Sequence, residues 1–294
     1  MSKPHVVVLI GGPDAEREIS IESGTAVSIA LKKNPAFHTT LELIEMPTVE
    51  ELVALKADVI FPVLHGPYGE GGPLQQILEQ TNIPFVGSGS IASAKAMDKI
   101  ASKQIAQNIG IQTPNWEKIT TPICDLQPPL VLKPTDDGSS VDIVICKSEQ
   151  EVQVALPKLL QHRNIVLAES YKQGREITVS VVCGNPLPVI EIVPFTGNYD
   201  FAAKYERDDT RYILDPQLPD QTCVFGALEI VKEMNIRDLA RVDFIIDDDG
   251  LWFLEVNTMP GFTDHSLLPM AALHTGLDMT MLCTKLIESA TQDN

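Results

Sequence analysis

The first ninety residues alternate short apolar runs with segments of helical period. "HVVVLIGG" predicts a strand and "SIESGTAVSIALKK" a helix capped by Ser20. "TLELIEM" predicts a strand, "TVEELVALK" a helix, and "ADVIFPVLHG" a nearly continuous apolar strand. "GPLQQILEQ" then reads as a helix and "PFVGS" as a short strand. Apolar strands separated by helices predict a parallel sheet covered on both faces. In such sheets ligands gather beyond the carboxyl ends of the strands. Two unusual loops fall there, "GGPDAERE" after the first strand and "HGPYGEGG" after the third.

From "MDKIASKQIAQNIGIQTP" the texture changes. Asp98 caps a helix whose end is marked by Gly110 and Pro114. After a Pro-rich connection come "LVLKPTDDGSSVDIVIC", a helix around 148–161 and "NIVLAESY", the pattern of a small α+β unit. "REITVSVVCG" and "LPVIEIV" predict strands, followed by a helix near 225–235, a hairpin and closing helices. The expected fold class is α/β with an α+β central domain, divided as 1–96, 97–175 and 176–294.

The hairpin "LARVDFIIDDDGLWFLEVN" carries polar residues inside apolar runs. A three-residue loop, Asp248–Asp249–Gly250, sets a register in which Asp243 faces Glu255 and Arg241 faces Asn257. All four then project from one face, which is costly if dry and unpaired. One reading is a solvated face bearing an Arg–carboxylate cluster. The other is a hard-cation site, since magnesium takes carboxylate and other oxygen ligands together with substrate phosphates.

Composition narrows the partners. With 294 residues, 44% hydrophobic and 21% charged, the chain has room for two or three globular units. A net charge of −18 repels phosphate backbones, so nucleic acid is not expected as a partner. No apolar run reaches bilayer length, and the opening apolar run lacks the form of a secretory signal. The expected location is therefore the cytoplasm, without membrane association. Cys124, Cys146, Cys183, Cys223 and Cys283 are too scattered for a disulfide framework or a zinc site. In so acidic a chain, an anionic small-molecule site must concentrate the few Lys and Arg.

"LVLKPTDDGSSVD" offers such a place, with Lys133 before a Gly-Ser-Ser loop whose N–H groups suit phosphates. A plain turn is the competing reading. Glu169 and Glu176 in "AESYKQGRE" suit either nucleoside hydroxyls and amines or water. "NYDFAAKYERDDTRY", with Lys204 and Tyr205 at its centre, has no clear period and reads as a lid or as a surface excursion.

Taken in order, "GGPDAEREIS", "HGPYGEGG", "MDK", "KPTDDGSS", "AAKY", "ARVDF" and "EVNTMPGFTDHSLLP" resemble the D-alanine–D-alanine ligases of the ATP-grasp group, over essentially the whole chain. The resemblance implies an ATP-grasp fold with an N-terminal Rossmann-like parallel-sheet domain, and ATP held between the central and C-terminal units. It implies phosphorylation of one D-alanine carboxylate and attack by the amine of a second, in the service of peptidoglycan synthesis. By the same resemblance Asp243, Glu255 and Asn257 hold two magnesium ions, with manganese as a substitute. Arg241 and the N–H of Gly261 stabilise the transferring phosphoryl group and the oxyanion. Lys99, Lys133 and Lys204 contact phosphates, and Glu169 and Glu176 the adenine and ribose. Glu16 anchors the first D-alanine's ammonium, with His65 and Glu70 lining its pocket. Ser139 and Tyr205 link the lid to Glu16, while Ser266 and the N–H of Leu267 hold the second carboxylate. Tyr205 after Lys204 is the dipeptide-forming pattern, and the family suggests a homodimer.

The chain departs from the family pattern twice. Gly71 stands where the third-strand loop usually has Asp, and Asp142 where the phosphate loop usually has Gly. An added carboxylate beside phosphates is unfavourable unless it points away, and Asp accepts a left-handed backbone less readily than Gly. Two other outcomes stay open at this point: a carboxylate–amine ligase for other amino acids, and a nucleotide-binding homologue without turnover.

Overall fold

A computed structural model describes residues 3–136, 142–195 and 209–292. Three sheets organise them. The first is parallel, with strands β1 (His5–Gly11), β2 (His38–Ile44) and β3 (Val59–Pro62) in the order β2-β1-β3. Helices α1 (Arg17–Lys32), α2 (Val49–Ala54), α3 (Gly66–Gly69), α4 (Pro73–Thr81) and α5 (Ser90–Met97) connect and follow these strands. Burial on both faces explains why β1 reads as an apolar run: Val6 and Val8 join one core cluster, Val7 and Leu9 another.

Two local expectations are corrected here. Helix α1 begins at Arg17, so Ser20 lies inside it and caps nothing. Its hydroxyl instead accepts from the Gly11 N–H (2.9 Å) and donates to the Val63 carbonyl (2.5 Å), tying the ends of β1 and β3 together. The segment "PFVGS" forms an isolated parallel bridge from Phe85 to Ile60, not a strand, because Pro84 removes a donor and Gly87 turns the chain.

Helix α6 (Lys99–Asn108) opens the next unit, and Asp98 caps it as expected by accepting from Ile100 and Ala101. The second sheet is antiparallel: β4 (Trp116–Ile119), β5 (Leu130–Pro134), β6 (Val144–Cys146) and β7 (Val166–Ser170), ordered β4-β7-β5-β6. Helix α7 (Glu149–Leu159), capped by Ser148, covers it.

The third sheet runs β11-β10-β8-β12-β13, with β9 beside β8. Its strands are β8 (Arg175–Val182), β9 (Asn185–Pro186), β10 (Ile190–Val193), β11 (Arg211–Leu214), β12 (Leu239–Asp247) and β13 (Gly250–Asn257). Helix α8 (Thr222–Glu233) packs beneath it, and α9 (Leu267–His274) and α10 (Met279–Gln292) end the chain. The closing helices share one core with the first sheet, for Leu268, Leu282 and Leu286 cluster with Val6, Val8 and Phe61.

The hairpin pairs as expected at the site, Arg241 with Asn257 and Asp243 with Glu255, but by another route. Asp247 pairs with Gly250, leaving two residues in the turn, not three. A bulge between Asp243 and Phe244 absorbs Leu254 and restores the register.

Candidate active site

Alternation along β8, β12 and β13 sorts the third sheet into two faces. Ile177, Val179, Val181, Ala240, Val242, Phe244, Phe253 and Val256 fill a core on one side. Glu176, Thr178, Ser180, Arg241, Asp243, Glu255 and Asn257 therefore share the other. Arg241 grips Asp243 with two hydrogen bonds, Nε to Oδ1 at 3.1 Å and Nη2 to Oδ2 at 2.9 Å. Thr178 adds a third, donating to Asp243 Oδ1 at 2.6 Å. Glu255 meets the Lys99 ammonium at 3.2 Å, and Asn257 Oδ1 accepts from the Met259 N–H at 2.9 Å.

This donor set fits a hard cation by chemistry: two carboxylates and an amide oxygen on one face, with cationic partners in Arg241 and Lys99. Among the described residues no group of three or more His, Cys, Asp or Glu could hold a metal. The third donor here is an amide.

The strand end folds back onto the first sheet's loops. His65 Nδ1 bonds the Met259 carbonyl at 3.0 Å, and Glu70 accepts from the Met259 N–H at 3.3 Å and the Gly66 N–H at 3.2 Å. Burial lowers His65 from 6.5 to about 4, with Arg241's charge acting the same way. It is a neutral imidazole at pH 7, and its buried Nε2 has no hydrogen-bond partner among the described residues. Burial also pushes Glu70 up from 4.5 to about 8, and the neighbouring Glu16 carboxylate adds to the rise. Glu16 itself stands at the entry to α1, so His65, Glu70, Glu16 and Arg241 converge on one place. Asp14, which the sequence did not single out, joins the two loops by accepting from Tyr68 (2.8 Å) and Gly69 (3.2 Å).

Beyond the strand, Gly261 packs closely against Ser266, whose Oγ would lie 2.8 Å from a Cβ at that position. Ser266 precedes α9 and accepts from the Thr263 N–H at 3.0 Å, leaving Leu267 at the helix's first turn, where N–H groups have no intrahelical partner.

The residues expected to meet the nucleotide assemble between the second and third sheets. Glu169 on β7 receives Lys133 from β5 at 2.5 Å and Lys103 from α6. Burial alone would raise Glu169, but the two ammonium charges hold it below the usual carboxylate range. Glu169 and Lys133, expected on the adenine and the phosphates, are thus direct partners, and Lys103 is the residue missed. Its signal was present, since Lys99 and Lys103 lie four apart on α6 and share a face. Glu176 sits at the β8 end of the polar face. Ser139, Lys204 and Tyr205 lie outside the described residues.

The two departures from pattern have physical accounts. A Cβ at position 71 would lie 2.3 Å from the Pro67 carbonyl, so this loop's backbone admits only Gly. Asp142 does adopt a left-handed conformation (φ 57°), yet its carboxylate engages Arg163 (2.8 and 3.0 Å) and His162 (3.1 Å).

An antiparallel sheet and a larger mixed-length sheet that together supply a lysine–carboxylate cluster, with a metal-type oxygen set at a strand end, define an ATP-grasp enzyme. The family model for the D-ala D-ala ligase C-terminus matches residues 104–288, and that for the N-terminus residues 44–88. The chain belongs to the D-alanine–D-alanine ligase family. It is 38% identical to the D-alanine–D-alanine ligase of Syntrophotalea carbinolica over 99% of this chain and 97% of the relative. Identity to that of Aquifex aeolicus is 40%, over 96% and 99%. Among solved structures it is similar to the Bacillus anthracis D-alanine–D-alanine ligase complexed with ATP (TM-score 0.85, 31% identity, covering 100% and 98% of the two chains). The Enterococcus faecalis VanG D-Ala:D-Ser ligase is also similar (TM-score 0.83, 25% identity, 98% and 100%).

Proposed function

We propose that this protein joins two D-alanines at the expense of ATP, supplying the dipeptide for peptidoglycan synthesis, and that the residues described above carry the reaction. The observation that carries the proposal is the polar face of the hairpin, where Arg241 and Asp243 stand opposite Asn257 and Glu255. A carboxylate is a poor acyl donor, so phosphorylation must give it a leaving group. The first D-alanine's carboxylate oxygen attacks the γ-phosphorus and ADP departs. The second D-alanine's amine, having lost a proton, attacks the acyl carbon of the acyl phosphate, and the C–O bond to phosphate breaks.

In this reading Glu16 pairs with the first ammonium, and neutral His65 and protonated Glu70 shape that pocket without adding charge. Arg241 and the Gly261 N–H face the charge that develops on phosphoryl and acyl oxygens. Ser266 and the Leu267 N–H hold the second carboxylate at the start of α9. Lys99 and Lys133 contact phosphates, Glu169 and Glu176 the adenine and ribose, and Lys204 the γ-phosphate. Ser139 and Tyr205 join the lid to Glu16. Asp243, Glu255 and Asn257 would hold two magnesium ions, or manganese, which supply positive charge along the phosphoryl path.

We read the chain as three units, 1–96, 97–175 and 176–294, with nucleotide between the last two, acting as a cytoplasmic homodimer. Among the described residues no helix is long and apolar enough to cross a membrane.

The likeness to a D-Ala:D-Ser ligase makes the second amino acid the point to test. Phosphate release from ATP and magnesium, with product mass, decides it across D-alanine, D-serine and L-alanine. D-alanyl-D-alanine with D-alanine alone is the expected outcome. Preference for D-serine as acceptor would move the chain to the other specificity, and ATP binding without release would make it a silent homologue.

A further inference from the structure

Lys103 is fully buried, and the chemistry above gives it no task. Its ammonium donates to Glu169 Oε1 and, at 2.8 Å, to Thr113 Oγ1. The Thr113 hydroxyl in turn donates a hydrogen bond to the Phe253 carbonyl at 3.1 Å, beside the bulge that sets the register of Glu255. The Phe253 N–H bonds the Gln112 carbonyl at 2.8 Å, so the same segment is held twice. Lys103 thereby joins α6, the second sheet through β7, and the third sheet through β13. Each Glu169 oxygen takes one lysine, Oε1 Lys103 and Oε2 Lys133. Losing the first would free the carboxylate to swing and Lys133 to follow it.

A buried ion pair is weak ground for a stabilising role, because well-packed apolar residues often serve as well. The cluster's charge points elsewhere. Three lysines (99, 103, 133) surround two carboxylates (169, 255), leaving one positive charge over where an anion is to bind. Burial and the Lys133 charge pull Lys103 down to about 8, while Glu169 and Glu255 pull it back up.

We propose that Lys103 is a positioning residue for ATP: it fixes the Glu169 carboxylate, and through it the Lys133 ammonium, without touching the nucleotide. The inference rests on the ligase reading of the site.

The test compares Lys103→Met and Lys103→Arg in the full chain, by KM for ATP, KM for D-alanine, affinity for a non-hydrolysable ATP analogue, and Tm. Losing a charge-assisted anchor of this kind predicts ATP KM and analogue Kd raised by about tenfold or more in Lys103→Met. The D-alanine KM stays within about twofold, since the lost interaction is confined to nucleotide binding. Lys103→Arg restores most of the ATP affinity. A lower Tm with unchanged ATP affinity, or equal rises in both KM values, overturns the proposal. Should Lys103→Met not fold, Thr113→Val carries the test: it keeps the charge and loses one anchor, and unchanged analogue affinity there counts against the proposal. If the wild type binds the analogue but releases no phosphate with D-alanine, the ligase reading fails, while analogue binding still decides the role of Lys103.

Discussion

The hairpin face and the lysine–carboxylate cluster both gather opposite charges, with opposite construction. On the hairpin, Arg241, Asp243, Glu255 and Asn257 come from two adjacent strands, and their meeting follows from register alone. In the cluster, Lys103, Lys133 and Glu169 come from a helix and two strands, and Thr113 reaches to a further strand. Asp243 is gripped by Arg241 two residues away, with Thr178 adding a bond from the adjacent strand, whereas Glu169 is held by lysines 36 and 66 positions off. Arg241 and Asp243 are thus positioned mainly by strand pairing and a close neighbour. The cluster depends on tertiary packing, and breaking it should cost more in stability.

The largest expected effect tests that contrast directly. Glu169→Ala leaves Lys103 and Lys133 buried without their shared counter-charge, so it should destabilise the fold by about 3–5 kcal/mol in denaturant unfolding. A loss well under this would mean that water or rearrangement solvates the lysines, and the contrast would fade.

Next comes a pH effect at the first sheet's loops. Folded Glu70 holds its proton up to about 8 against an ordinary 4.5, so the folded chain binds more proton between those values and stability falls as pH rises through them. His65, lowered from 6.5 to about 4, acts in reverse and costs stability as pH falls from 6.5 towards 4. Above pH 6.5 the Glu70 slope stands clear of the His65 one. Urea midpoints of Glu70→Gln should therefore fall less between pH 6.5 and 8 than those of the wild type. Parallel curves would show that Glu70 is ionised in the folded state.

The smallest effect is at Asp142. Its half-exposed pairing with Arg163 and His162 is worth no more than about 1 kcal/mol. Asp142→Gly gives up that pairing but relaxes a left-handed residue, so the two changes partly offset. Stability and the KM for ATP should both move little. A large gain in ATP affinity would show that this carboxylate does repel the phosphates.

The same division explains what could be read from the sequence. The parallel pairing of the first sheet, the Asp98 cap and the pairing of Asp243 with Glu255 all follow from period and local chemistry. The hairpin pairing was legible even though its turn was not, because one bulge compensates for a turn one residue shorter than expected. Ser20 was misjudged because its hydroxyl bridges the ends of β1 and β3, a contact from 43 positions away that competes with capping. Thr178, Asp14 and Thr113 were passed over for a related reason. A hydroxyl or carboxylate amid apolar or loop residues looks ordinary until a distant strand or loop brings its partner.

The central claim is that Arg241 on the hairpin face stabilises charge in an ATP-driven ligation of D-alanine. The most direct test is phosphate release from ATP and magnesium, with and without D-alanine, in wild type and Arg241→Ala. The account predicts D-alanine-dependent release in the wild type and a fall of about a hundredfold or more in the variant, as for loss of a preorganised donor, with nucleotide still bound. Near-normal release from Arg241→Ala, or wild-type release indifferent to D-alanine, would contradict it.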